Sequence, residues 1–220
     1  MKRIVILLLA CVFLFSGLSV FAGGSKEAKQ EKKVLLRLGL TAAEDVPETK
    51  SARKFGELLN GISGGAMSAE VLAAGLAGGE RDIVEGQQLG SLQMSVVSGI
   101  LQNFDKAMMI LEYDLLFKNQ DHVRKVFNGP IGEKINKRLI EKAGIRVLGV
   151  YQRTPRLLTT RRLVKSLDDL NGLKIRVPEM AARVELWKAL GANPTPLSFP
   201  EVCTGLQTGT IDGQENPIGL

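Results

Sequence analysis

Arg176 and Asn216 are the residues of this 220-residue chain whose types and placement best suit chemistry with a small anion. Arg176 lies at the end of the apolar run Leu173–Lys174–Ile175–Arg176–Val177, just before Pro178. An open α/β sheet takes its ligands beyond the carboxyl ends of its strands. A guanidinium there presents a planar fork that matches a carboxylate with two parallel charge-assisted bonds. The same spacing also fits a strand arginine facing solvent, where charged side chains ordinarily lie. Asn216, in Gln214–Glu215–Asn216–Pro217, donates and accepts at once and so suits a carboxylate or a hydroxyl. An asparagine before proline equally suits a turn. Phe199 precedes Pro200 at a helix start, where its ring either stacks on a ligand or staples the helix entry.

Other chemistries find little support. His122, the single histidine, sits beside Asp121 on a polar helix start and reads as a solvated helix-terminal residue. Cys203 reads as a small buried hydrophobe. Asp168–Asp169 reads as a solvated pair in a turn. There is no Cys/His cluster with zinc spacing, no phosphate-binding loop and no G-x-S-x-G elbow. The glycines at 75, 78 and 79 do not match a phosphate-cradling pattern. The residues point to no enzyme, no cofactor and no metal. Aromatics are 5% of the chain, too few for a base-stacking surface. The formal charge of +6 is spread among interleaved acids and bases, so no nucleic-acid partner is expected.

Stepping outward from these residues, the chain begins with Met1–Lys2–Arg3, an apolar run over 4–15, and Val20–Phe21–Ala22 at a cleavage site. That order is a secretory signal peptide over 1–22, too short for a membrane span of about 20 residues. Leu8–Leu9–Ala10–Cys11 is lipobox-like, a less fitting alternative. Residues 23–33 are small and charged and read as a flexible leader. Apolar periodicity then predicts strands over 34–40, 70–73, 93–97, 145–151, 173–177 and 210–211. It predicts a helix from Pro47 with Ala52, Phe55, Leu58 and Leu59 inward. Further helices are predicted over 80–88, 121–127, 131–143, 180–190 and 200–207, with a capped turn after Ser166. The basic, irregular stretch 153–166 is the candidate crossover between two lobes, 34–152 and 153–220. Alternating strands and helices argue for α/β architecture with parallel strand pairs.

Three runs resemble the signature of the solute receptors of TRAP transporters, the DctP-like family. They are Leu170–Asn171–Gly172–Leu173–Lys174–Ile175–Arg176–Val177–Pro178, then Ala189–Leu190–Gly191–Ala192–Asn193–Pro194–Thr195–Pro196, then the run from Gln207 to Pro217 that holds Asp212–Gly213–Gln214–Glu215–Asn216. Gly78–Gly79–Glu80–Arg81 and Gly129–Pro130–Ile131–Gly132 are looser matches. The resemblance implies a two-lobed periplasmic binding fold, type II-like, that closes on an organic acid in the periplasm. It implies delivery to the small and large membrane subunits of an ion-gradient-driven transporter. It implies that Arg176 holds the ligand carboxylate and that Arg156 is a second arginine toward the ligand. Phe199 and Asn216 match pocket positions, Glu215 borders them, and Glu80 and Arg81 match a motif near the cleft.

Family members continue beyond the position of Leu220, so the resemblance also implies that the C-terminal part of the fold is missing. It leaves two other readings: a ligand-sensing interaction protein on the same fold, or a non-functional truncated fragment. Asp114, Val46, Cys203 and Gly205 depart from the family pattern.

Overall fold

Two separate sheets organise the chain, and each is built around a strand whose buried face is visible in its sequence. The computed structural model describes residues 33–113, 115–151 and 153–219. The expected signal peptide, and all of the expected leader but Lys33, lie outside the described residues, as does Asp114.

The first sheet is centred on β1 (Val34–Leu40), flanked on both sides by parallel neighbours, β2 (Met67–Leu72) and β3 (Met94–Val96). Leu38 and Leu40 are buried at the C-terminal end of β1, while Val34 and Leu35 are exposed. Helix α1 (Pro47–Ile62) returns the chain between β1 and β2, with proline at its start, where a missing N–H costs nothing. Its face differs from the expected one. Thr49 and Ala52 are buried, whereas Phe55 and Leu58 are exposed. The reason is close approach: a Cβ on Gly56 would stand 3.1 Å from the Cβ of Ala69 on β2. Small residues set the contact and turn the larger side chains outward.

Helix α2 (Glu80–Gln88) follows a turn in which Gly75 and Gly78 have positive φ. At Gly78 the constraint is steric as well, since a Cβ would meet the Asp82 carboxylate at 2.6 Å. That carboxylate accepts from the Gly79 N–H at 2.8 Å and closes the first turn. Ile83 and Val84 are fully buried beneath it. Helices α3 (Gln120–Phe127) and α4 (Pro130–Ala143) pack together, with Ile135 and Leu139 inward.

The strand expected over 145–151 does not form. Ile145 is buried and Val147 partly so, but among the described residues no ladder partner lies beside them. Instead the Asn136 side chain takes both backbone groups of Val147. Its Nδ2 donates to the Val147 carbonyl at 3.1 Å, and its Oδ1 accepts from the Val147 N–H at 3.0 Å. An amide side chain satisfies here what a neighbouring strand otherwise would.

The second sheet has the order β4-β7-β5-β6. Strand β4 (Arg156–Thr160) lies inside the stretch expected to be irregular, and pairs antiparallel with β7 (Gly213–Pro217). Alternating exposure of its side chains marks it as a half-buried strand; its basic neighbours masked the signal. Strand β5 (Lys174–Val177) runs parallel to both β7 and β6 (Asn193–Pro196). Ile175 and Val177 are fully buried, and Leu173 and Trp187 complete that core. The short strand expected over 210–211 is displaced to β7. Helix α5 (Ala181–Ala189) follows β5, and α6 (Val202–Thr208) precedes β7. Cys203, expected to be buried, is exposed, because α6 turns Val202 and Gly205 to the core instead.

The region of the first sheet and that of the second are tied directly. Arg183 on α5 donates to Glu112 at 2.9 Å, with both side chains 9% exposed. Gln102 accepts from the Ala182 N–H, and Asn103 donates to the Glu179 carbonyl at 2.7 Å.

Candidate functional site

Strands β5 and β7 run parallel in one sheet, so their carboxyl ends lie on the same side. That topology brings Arg176 and Asn216, forty residues apart in sequence, to one rim. Arg176 is 3% exposed and therefore not the solvent-facing strand arginine that its spacing also allowed. Its Nε donates to the Leu197 carbonyl at 2.8 Å, which fixes the plane of the guanidinium. The Phe199 ring lies beneath, with the guanidinium carbon 5.7 Å from its centroid, a cation–π contact. Burial, and next the nearby Arg156 charge, push the guanidinium down to about 10, still cationic at neutral pH.

Arg156, at the start of β4, is engaged differently. Its Nε bonds Glu215, and its Nη2 donates to the second Glu215 carboxylate oxygen at 3.0 Å. The same nitrogen reaches the Glu215 carbonyl at 2.8 Å and the Asn216 Oδ1 at 3.0 Å. Glu215 is 3% exposed, so this is a desolvated fork-on-fork pair. The Asn216 amide donates in turn to the Gln214 Oε1. Glu215 thereby holds Arg156 in one orientation, and Arg156 in turn holds Asn216. Gly213 permits the approach of β4, since a Cβ there would stand 2.4 Å from the Thr159 carbonyl.

Glu80 opens α2 on the facing wall. Both carboxylate oxygens are held by Ser98, from its N–H at 2.9 Å and its hydroxyl at 2.7 Å. Burial pushes the Glu80 carboxyl above its ordinary value, and the Ser98 bonds offset part of that rise. Gly79, just before it, packs against the other wall: a Cβ there would lie 3.1 Å from the Cβ of Ser198.

Arg156, Arg176, Phe199, Asn216 and Glu80 line one small cavity of about 40 Å³. It adjoins a cleft of about 570 Å³, with Thr41, Glu80, Ser98, Arg153 and Arg156 bordering both. Glu215 and Arg81 border neither; Arg81 instead faces Glu179 at 3.8 Å. Sequence reading missed Arg153, which sat in the stretch taken as a crossover. The one available signal was its spacing, three residues before Arg156. His122 is structural: its Nδ1 accepts from the Lys118 N–H at 3.4 Å and its ring meets Phe117 edge-on. Among the described residues, no group of three or more His, Cys, Asp or Glu gathers to hold a metal.

Known proteins resemble this chain in sequence and in fold. The DctP family, bacterial extracellular solute-binding protein family 7, matches residues 38–220. A solute-binding protein of Roseobacter denitrificans is 41% identical over 86% of this chain and 58% of its own length. Its crystal structure with bound L-galactonate superposes with a TM-score of 0.81 at 40% identity, over 86% of this chain and 63% of that one. The 2,3-diketo-L-gulonate-binding periplasmic protein of Escherichia coli is 31% identical over 93% of this chain and 61% of its own length. The chain thus spans about six tenths of the relatives it matches. Its mixed α/β architecture is that of TRAP periplasmic solute-binding protein structures. The chain belongs to the DctP family of bacterial extracellular solute-binding proteins.

Proposed function

We propose that this protein is an extracytoplasmic receptor for a small organic acid, of the sugar-acid class. It hands the acid to the small and large membrane subunits of a TRAP-type, ion-gradient-driven transporter. It binds its ligand without transforming it. The supporting observation is Arg176: a buried, oriented guanidinium whose Nη groups have no hydrogen-bond partner among the described residues, facing a cavity. A dry cation of this kind selects a carboxylate and gains from it more than an exposed one would. The relatives support the ligand class, since one is crystallised with L-galactonate and a Haemophilus influenzae one with L-gulonate.

In this reading residues 34–152 and 153–220 carry the two lobes, one sheet each. Arg176, Arg156, Asn216 and Phe199 supply the second lobe's share of the site, and Glu80, with Arg81 nearby, the first lobe's. Glu215 acts through Arg156. Residues 1–22 direct export to the periplasm, the compartment named for the E. coli relative. Closure is favoured because only the closed state lets one ligand touch both walls.

Isothermal titration of the chain with galactonate tests the reading. Replacing Arg176 by alanine removes about 2 kcal/mol or more of binding, on the order of 30-fold or greater in Kd. The circular dichroism spectrum stays unchanged. Equal affinity of wild type and Arg176→Ala rejects the assignment.

A further inference from the structure

Charges around the cavity fall into facing pairs, and the remainder carries information about the ligand. Arg156 is neutralised by Glu215, and Arg81 stands 3.8 Å from Glu179. Arg153 makes no hydrogen bond or ion pair among the described residues, yet it borders both the small cavity and the larger cleft. Its charge acts on Glu80, which borders the same two spaces. The remaining cation is Arg176.

We propose that Glu80 and Arg153 form a hydroxyl-reading pair that admits polyhydroxylated monocarboxylates and excludes dicarboxylates. This rests on the receptor reading above and specifies its ligand. Both groups border the same two spaces, and no hydrogen bond or ion pair joins them. An oxygen placed between an acceptor and a donor sits about 2.8 Å from each. A ligand hydroxyl is the group that fits, because it donates to Glu80 and accepts from Arg153 together. A ketone oxygen accepts from Arg153 but cannot donate to Glu80, and a methylene displaces water from both groups without replacing its bonds. A second carboxylate is worse still. Glu80 is held in place because Ser98 bonds both its oxygens, so two anions would meet in a partly desolvated space. In the small cavity, which Glu48 of the larger cleft does not border, Arg176 is the unmatched cation, balanced by one anionic charge.

The test uses three six-carbon acids: galactonate, its diacid galactarate, and hexanoate, which lacks hydroxyls. Titration calorimetry of wild type is expected to rank galactonate at least tenfold tighter than either of the others, the scale of a buried like-charge contact or an unsatisfied polar pair. Glu80→Gln keeps the shape and removes the charge. It is expected to bring galactarate to within about threefold of galactonate by relieving the repulsion. Arg153→Gln, at a half-exposed position tolerant of substitution, is expected to weaken galactonate about tenfold and leave hexanoate unchanged. An unaltered galactonate-to-galactarate ratio in Glu80→Gln, or unaltered galactonate affinity in Arg153→Gln, overturns the pair. Should Glu80→Gln not fold, Arg153→Gln alone decides. Wild type that binds none of the three acids overturns the receptor reading together with this one; wild type that binds the acids without discrimination overturns this one alone.

Discussion

Arg176 and Arg156 are the same residue type in one cavity, but their surroundings make them different tools. Arg156 spends its fork on Glu215 and Asn216 and becomes a rigid wall. Arg176 has only its Nε engaged, by the Leu197 carbonyl, so its outer nitrogens stay available. Glu80 shows the opposite effect of burial. Its carboxyl is raised above the ordinary value of 4.5, mainly by desolvation. The folded state therefore binds that proton more readily than the unfolded chain. Its contribution is favourable below the ordinary value and is lost as pH rises through the folded value. Glu80→Gln lacks this loss. Denaturant unfolding at pH 5 and pH 8 is expected to show the variant gaining on wild type at the higher pH. A difference independent of pH would count against an ionisable, partly buried Glu80.

At the scale of elements, the segment 145–151 shows how a side chain substitutes for a strand. Its alternating apolar residues predict a β-strand, yet Asn136 on α4 occupies both backbone groups of Val147. Asn136→Ala leaves a partly buried N–H and carbonyl unpaired, a loss of about 1–3 kcal/mol. The expected result is a lower denaturation midpoint with an unchanged m-value. Asn136→Asp keeps one of the two bonds and is expected to fall between. No change in Asn136→Ala would mean that solvent replaces the amide without cost. Helix α1 illustrates a related point, since periodicity finds an apolar stripe but not the face that docks. Gly56 against Ala69 decides that face by distance of approach.

For the whole molecule, the candidate site lies where the walls built on the two sheets meet. Glu80 and Ser98 come from the first region, and Arg156, Arg176, Phe199 and Asn216 from the second. A ligand that touches both walls binds the folded state alone and must raise its melting temperature. At a hundredfold excess over Kd the gain is about 2.7 kcal/mol. For a folded unit of this size that corresponds to several degrees. A thermal-shift series with galactonate against chloride at equal ionic strength checks this. A shift that chloride reproduces would mark non-specific anion binding. Arg183–Glu112 ties α5 to the wall opposite, and both residues border the larger cleft.

Arg176, Asn216 and Phe199 were legible because each sits beside a local signal: a strand end, a residue before proline, a helix start. The α/β alternation, β1, α2, α4 and β5 were legible because burial follows periodicity along one element. The family's motifs added Arg156, Glu215, Glu80 and Arg81, whose local sequence says little about a ligand. Tertiary structure alone decided the rest. Whether Arg176 faces solvent or a cavity depends on Leu197 and Phe199, twenty or more residues away. The role of Glu215 depends on the antiparallel register of β4 on β7, which sets Arg156 beside it. Arg153 gained meaning only when its chain neighbours became a strand and Glu80 came to border the same two spaces. A single chain's sequence records which side chains exist and how each element is patterned; which charges share a desolvated space is fixed by contacts between distant elements.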